Sequence, residues 1–111
     1  MSNHEVVLCA PVRTAIGSYG GVLKDVPATD LGAVAIREVL ARAGLNGDDI
    51  DTVVLGQVVQ AGAKMNPARQ AAMAAGIADA VPAMTVNRVC GSGAQAIATA
   101  AQEVMLGFVQ C

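Results

Sequence analysis

VNRVCGSGAQAI, residues 86–97, sets a β-branched lead-in against a single cysteine, a glycine-flanked serine and then an almost wholly apolar run. Residues 83–87 (AMTVN) read as a strand and RVCGSG as a joint. A helix follows, because Ala94, Ile97, Ala98, Ala101, Met105 and Phe108 repeat at spacings of three and four. Only Gln95, Thr99, Gln102 and Glu103 are polar between residues 94 and 106, and a helix that apolar all round is expected to be buried. Strand, tight joint and helix in that order belong to an α/β layer with parallel strands.

The same alternation continues upstream. TVVLGQVV, residues 52–59, suits a buried parallel strand. Asn66 and Pro67 are a cap and a first helical residue for PARQAAMAA, which runs to Gly76. Earlier still, Thr29 or Asp30 can cap a helix with Leu31, Val34, Ala35, Val39 and Ala43 at helical spacing. Arg37, Glu38 and Arg42 form its wet face, Gly44 is its stop and NGDDID the turn beyond. EVVLCA, residues 5–10, is expected to be the first strand, and residues 12–28 a long loop. FVQC at the end looks like the start of a fourth strand. No internal repeat, low-complexity tract or linker breaks the pattern. Three parallel strands with an unfinished fourth leave faces uncovered, which points to a truncated chain.

Composition agrees. The 111 residues fit one domain at most. With glycine counted and tyrosine left out, about 64% of them are apolar against an ordinary ~45–50%, an excess that calls for burial in a larger body. Alone, so apolar a chain is expected to aggregate. No uninterrupted apolar run approaches the ~18–20 residues of a membrane span. The start, MSNHEVVLCAPVR, has the marks of neither a signal nor a transit peptide, so a cytoplasmic location is expected. The net charge is −2, the basic residues are scattered, and Tyr19 and Phe108 are the only aromatics, which leaves nothing to bind nucleic acid. Cys9, Cys90 and Cys111 lie far apart, with no CxxC and one histidine, so neither structural zinc nor a disulfide framework is expected.

Chemistry concentrates at Cys90. Free backbone N–H groups and the dipole at a helix start favour a thiolate by roughly 0.3–1 kcal/mol. That modest effect calls for a helping base. The only histidine, His4, sits among the first residues and is expected to be frayed and solvated, which puts the base outside these 111 residues. On position alone, an inert buried cysteine is the favoured reading for Cys90, and more strongly so for Cys9, with a nucleophile at Cys90 the alternative. GSGAQA, residues 91–96, fits the dinucleotide pattern G-x-G-x-x-A, but it follows a third strand rather than a first. A P-loop and G-x-S-x-G are both absent. Arg13, Arg69 and Arg88 are read as solvated or structural.

PVRTAIGSYGG (residues 11–21), GQVVQAG (56–62), NPARQAA (66–72) and NRVCGSGAQAI (87–97) together resemble the N-terminal part of a thiolase, the acetyl-CoA acetyltransferase family, in that family's order. The resemblance implies a thiolase-like three-layer α/β/α fold, N-terminal half only, truncated after the third helix. Residues 1–111 would then lack the domain's last strands, the loop domain and the C-terminal domain. It implies acyl transfer between CoA thioesters, as 3-oxoacyl-CoA formation or thiolysis in fatty acid metabolism, through an acyl-enzyme on Cys90.

In that reading the Cys90 N–H is an oxyanion donor, Gly91 and Gly93 let the backbone approach the thioester, and Ser92 helps cap the helix. CoA thioesters are substrates, no metal or resident cofactor is implied, and a homo-oligomer, dimer or tetramer, is expected with residues 83–87 near the subunit contact. The G-H-P histidine, the C-x-G-G-G cysteine and the N-E-A-F segment of the family are absent, so the isolated chain is expected to be inactive. Lys64 and Met65 stand where many relatives carry Gly-Gln. The alternatives are a non-catalytic interaction piece, then a related condensing enzyme such as a ketoacyl synthase; a dinucleotide-binding unit ranks lower.

Overall fold

In the computed structural model, which describes residues 4–111, helix α1 (Ala28–Ala43) leads through a 3-10 turn (Gly47–Asp49) to strand β1 (Val53–Gly56). Helix α2 (Pro67–Ala75), strand β2 (Ala83–Val86) and helix α3 (Ser92–Met105) follow. The two strands pair in parallel, Val53 opposite Ala83 through to Gly56 opposite Val86, with α2 as the crossover between them. Val53 and Leu55 pack with Leu40, Ala72, Ile77 and Val81 on the α1–α2 side. The alternate residue Gly56 faces the backbone of α3. Helices therefore cover both faces of the sheet, giving the expected α/β/α layering.

Small residues set the spacing of the α1–α2 layer. Ala33, Ala68, Ala71 and Ala72 are buried, and Gly32 comes so near Ala71 that an added Cβ would lie 3.1 Å from the Ala71 methyl. The start of α2 follows the expected cap: the Asn66 side chain accepts from Arg69 N (3.3 Å) and from Thr85 Oγ1 (2.7 Å), and donates to the Ala83 carbonyl (2.9 Å). One side chain thus caps a helix and moors it to β2. Arg69, read as solvated or structural, donates to the Val81 and Asp79 carbonyls at 2.8 and 2.9 Å and fastens the far side of the same layer.

Residues 5–10 form no strand; they run extended with Val7, Leu8 and Cys9 exposed, because no strand lies beside them to accept a ladder. The start of α1 is capped by neither Thr29 nor Asp30: it begins one residue after Pro27, with no side-chain cap bond. Residues 57–59 and Asn87 lie outside their strands, and β1 is only part-buried. The last residues form no strand, although the Cys111 carbonyl accepts from Asp51 N (2.7 Å) and Thr52 N (3.3 Å), just ahead of β1.

The third helix is not buried all round. It starts at Ser92 rather than near residue 94 and packs on the sheet through Ser92 and Ala96, whereas Ile97 is 55% exposed and Ala94, Ala98 and Met105 also face outward. Its apolar repeat marks the open side, since small residues bring the other side against the strands. No helix among the described residues is long and apolar enough to cross a membrane.

Candidate active site at the joint between β2 and α3

Cys90 sits in the turn between β2 and α3, directly before the cap residue Gly91, and is exposed. Short hydrogen bonds lock the turn. Gly91 N donates to the Arg88 carbonyl (3.0 Å) and Ser92 N to that of Val89 (3.1 Å). The Ser92 hydroxyl accepts from Arg88 N (2.9 Å) and donates to the Val89 carbonyl (2.6 Å). Asn87 accepts from Val89 N (2.9 Å) and donates to the Val58 carbonyl (2.9 Å), linking the turn to the segment after β1.

Ser92 was expected to help cap the helix. It is instead the first helical residue, only 3% exposed, and its hydroxyl turns back to close the preceding turn. The cap position belongs to Gly91, which offers no side chain.

Val89 has φ = +46°, in the left-handed region. A β-branched residue there costs about 1–3 kcal/mol and persists only where surrounding contacts over-determine it. The bonds of Asn87 and Ser92 to Val89 are those contacts. The stored strain sits immediately before the thiol.

The Cys90 N–H, one residue ahead of the helix cap, has no hydrogen-bond acceptor among the described residues, so it is available to a ligand. Space above the helix start is open: a Cβ built on Gly93 would meet nothing within 4 Å, and one on Gly91 would sit 3.4 Å from the Arg88 carbonyl oxygen. Arg88 lies along the first turn, donating to Gln95 Oε1 at 2.9 Å.

His4 is not frayed. Its N–H donates to the Met105 carbonyl at 3.0 Å, and its ring lies beside Gly107. That is the far end of α3 from Cys90, and a 14-residue helix is ~20 Å long, so His4 cannot serve the thiol as base. Cys9, read as buried, is exposed and lies outside any strand. The Cys111 thiol is held above its ordinary range by desolvation first, then by Cys9, Asp51 and Asp49. A cavity of about 410 Å³ opens at the carboxyl end of the strands, lined by Leu55, Gly56 and Thr85 among others.

Asn87 and Gly56 also shape the site. Asn87, read as the end of a strand, accepts instead from the N–H of Val89 two residues on, an Asx turn that shows only once Val89 is known to be left-handed. Gly56 is more than a motif position: a glycine closing a β-branched run signals close backbone approach.

Fold and site together define an α/β protein that presents an exposed cysteine at a strained strand-to-helix joint. Residues 6–111 match the thiolase N-terminal domain family. An acetyl-CoA acetyltransferase of Cupriavidus necator is 50% identical over 103 residues, which are 93% of this chain and 26% of that protein. A probable acetyl-CoA acyltransferase of Staphylococcus aureus is 53% identical over 102 residues, again 26% of its length. The crystal structure of the Bacillus anthracis acetyl-CoA acetyltransferase superposes with a TM-score of 0.93 at 41% identity, covering 97% of this chain and 27% of that one. The chain belongs to the thiolase family. It spans about a quarter of the length of the curated relatives it matches.

Proposed function

We propose that this chain is the nucleophile-bearing part of a thiolase, catalysing acyl transfer between CoA thioesters, and that Cys90 is the acyl acceptor. The observation that carries the reading is the exposed thiol beside an unengaged N–H at the start of α3. In the first half-reaction the Cys90 sulfur attacks an acyl-CoA carbonyl. The oxyanion draws on the Cys90 N–H, and the carbon–sulfur bond to CoA breaks as CoA leaves with a proton. In the second, a base removes a proton from the methyl carbon of acetyl-CoA. The carbanion attacks the Cys90 thioester, a carbon–carbon bond forms, and the Cys90 sulfur is released with 3-oxoacyl-CoA. Thiolysis is the same path reversed.

His4 is too remote to be that base, so the proton steps fall to groups outside residues 4–111. We therefore expect the 111-residue chain by itself to be inactive, its missing parts being the remaining strands, the acyl-CoA loop domain and a second half. A cytoplasmic homo-oligomer is the proposed working form.

Brief mixing of the full-length protein with acetyl-CoA, followed by intact and peptide mass spectrometry, tests this. Acetyl should appear on Cys90 and disappear in Cys90→Ala. Labelling that survives Cys90→Ala, or no labelling at all, overturns the assignment and favours a non-catalytic interaction piece, a reading consistent with the exposed apolar side of α3.

A further inference from the structure

We propose that Gly56 and Ser92 are positioning residues for the Cys90 thiol, acting as a strand-end seat and a clasp that together set where the sulfur and its neighbouring N–H point. This rests on Cys90 being the acyl acceptor. Gly56 ends β1, and its missing side chain would project into the first turn of α3. A Cβ there would lie 2.4 Å from both the carbonyl carbon and oxygen of Ser92 and 2.7 Å from Gly93 N. All three atoms are backbone, so no rotamer change relieves the clash; the start of the helix must lift off the strand.

Ser92 is held from the other side by its own hydroxyl, which bridges Arg88 N and the Val89 carbonyl and so closes a five-residue loop with Cys90 inside it. The same residue thus rests its backbone on Gly56 and ties down the left-handed Val89 with its side chain. Gly91 and Gly93, though nearer the thiol in sequence, meet no comparable obstruction. The seat for the site therefore comes from a strand more than thirty residues upstream.

Acylation needs sulfur and N–H to converge on one carbonyl, whereas alkylation by a small reagent needs the sulfur alone. In the full-length protein, Gly56→Ala and Ser92→Ala should slow acetylation of Cys90 by acetyl-CoA roughly 10- to 100-fold, the usual penalty of a misplacement near 1 Å. Alkylation of the same peptide by iodoacetamide should change far less, and Ser92→Thr, which keeps the hydroxyl, should recover most of the acetylation rate.

Val81→Ala, in the core away from the joint, supplies the comparison: it should lower the melting temperature without altering the ratio of acetylation to alkylation. An unchanged ratio in folded Gly56→Ala and Ser92→Ala overturns the proposal, as does a Ser92→Thr variant no better than Ser92→Ala. If Gly56→Ala does not fold, the two Ser92 variants decide. Failure of the underlying reading is recognised separately, because the parent protein itself would then carry no acetyl on Cys90.

Discussion

Val89 concentrates the residue-scale physics of the site. Nothing in its own chemistry favours φ = +46°; the conformation is imposed by Asn87 on its N–H and by Ser92 on its carbonyl. Val89→Gly removes about 1–3 kcal/mol of backbone strain and adds roughly 0.5–1 kcal/mol of unfolded-chain entropy, so the variant should be as stable as the parent or more so. Urea denaturation checks this; a clear loss of stability would show that the Val89 side chain contributes packing its 64% exposure does not reveal.

Cys111 offers a second test at this scale. Because desolvation, Cys9, Asp51 and Asp49 raise its titration, less thiolate exists at a given pH, and the thiol in the 111-residue chain should alkylate more slowly than a cysteine in a short peptide. The linkage has a definite sign. Its contribution to stability is fully present below the unfolded thiol's pKa and is lost as pH rises through the higher folded value.

At the scale of elements, all three helices end in one way. Gly44, Gly76 and Gly107 adopt positive φ, and in each case paired N–H groups return to carbonyls of the last turn, as from Gly76 to Met73 (3.2 Å) and Ile77 to Ala72 (3.0 Å). A Cβ at such a position costs about 1–2 kcal/mol, so Gly76→Ala should lower stability by that amount, read from the denaturation midpoint. The start of α2 depends more on its tertiary setting. Asn66→Ala removes a helix cap and two ties to β2 at once and should cost about 1–3 kcal/mol. Asn66→Gly suits the left-handed backbone at this position (φ = +47°) but restores none of the side-chain bonds, so it should recover only part of the loss.

Over the whole molecule the apolar excess lies largely at the surface. Val7, Leu8, Ile16, Tyr19, Val22, Val59, Met65 and Phe108 are well exposed, and α3 presents Ile97 and Met105 outward. Apolar surface of that extent favours association. The 111-residue chain should therefore self-associate when made alone, as sedimentation velocity would show. A monodisperse monomer with a single cooperative melt would contradict the expectation that its apolar faces need cover.

How much of this was legible beforehand follows from which contacts are local. The three helices, the Asn66–Pro67 start, the stops at Gly44 and Gly76 and the position of Cys90 at a strand-to-helix joint are all written in neighbouring residues. Helical hydrogen bonds reach only four residues back, and caps act within one turn. Membership of the thiolase family is legible in the same way, because the motifs that carry it are contiguous.

That residues 5–10 make no strand is a matter of long-range packing, since a strand exists through a partner that local sequence does not name. The fold alone turned the apolar repeat of α3 outward, put His4 at the wrong end of that helix, left Cys9 exposed and brought Gly56 under Ser92. Each depends on distances between segments far apart in the chain, and it is there that the placement of the Cys90 thiol is settled.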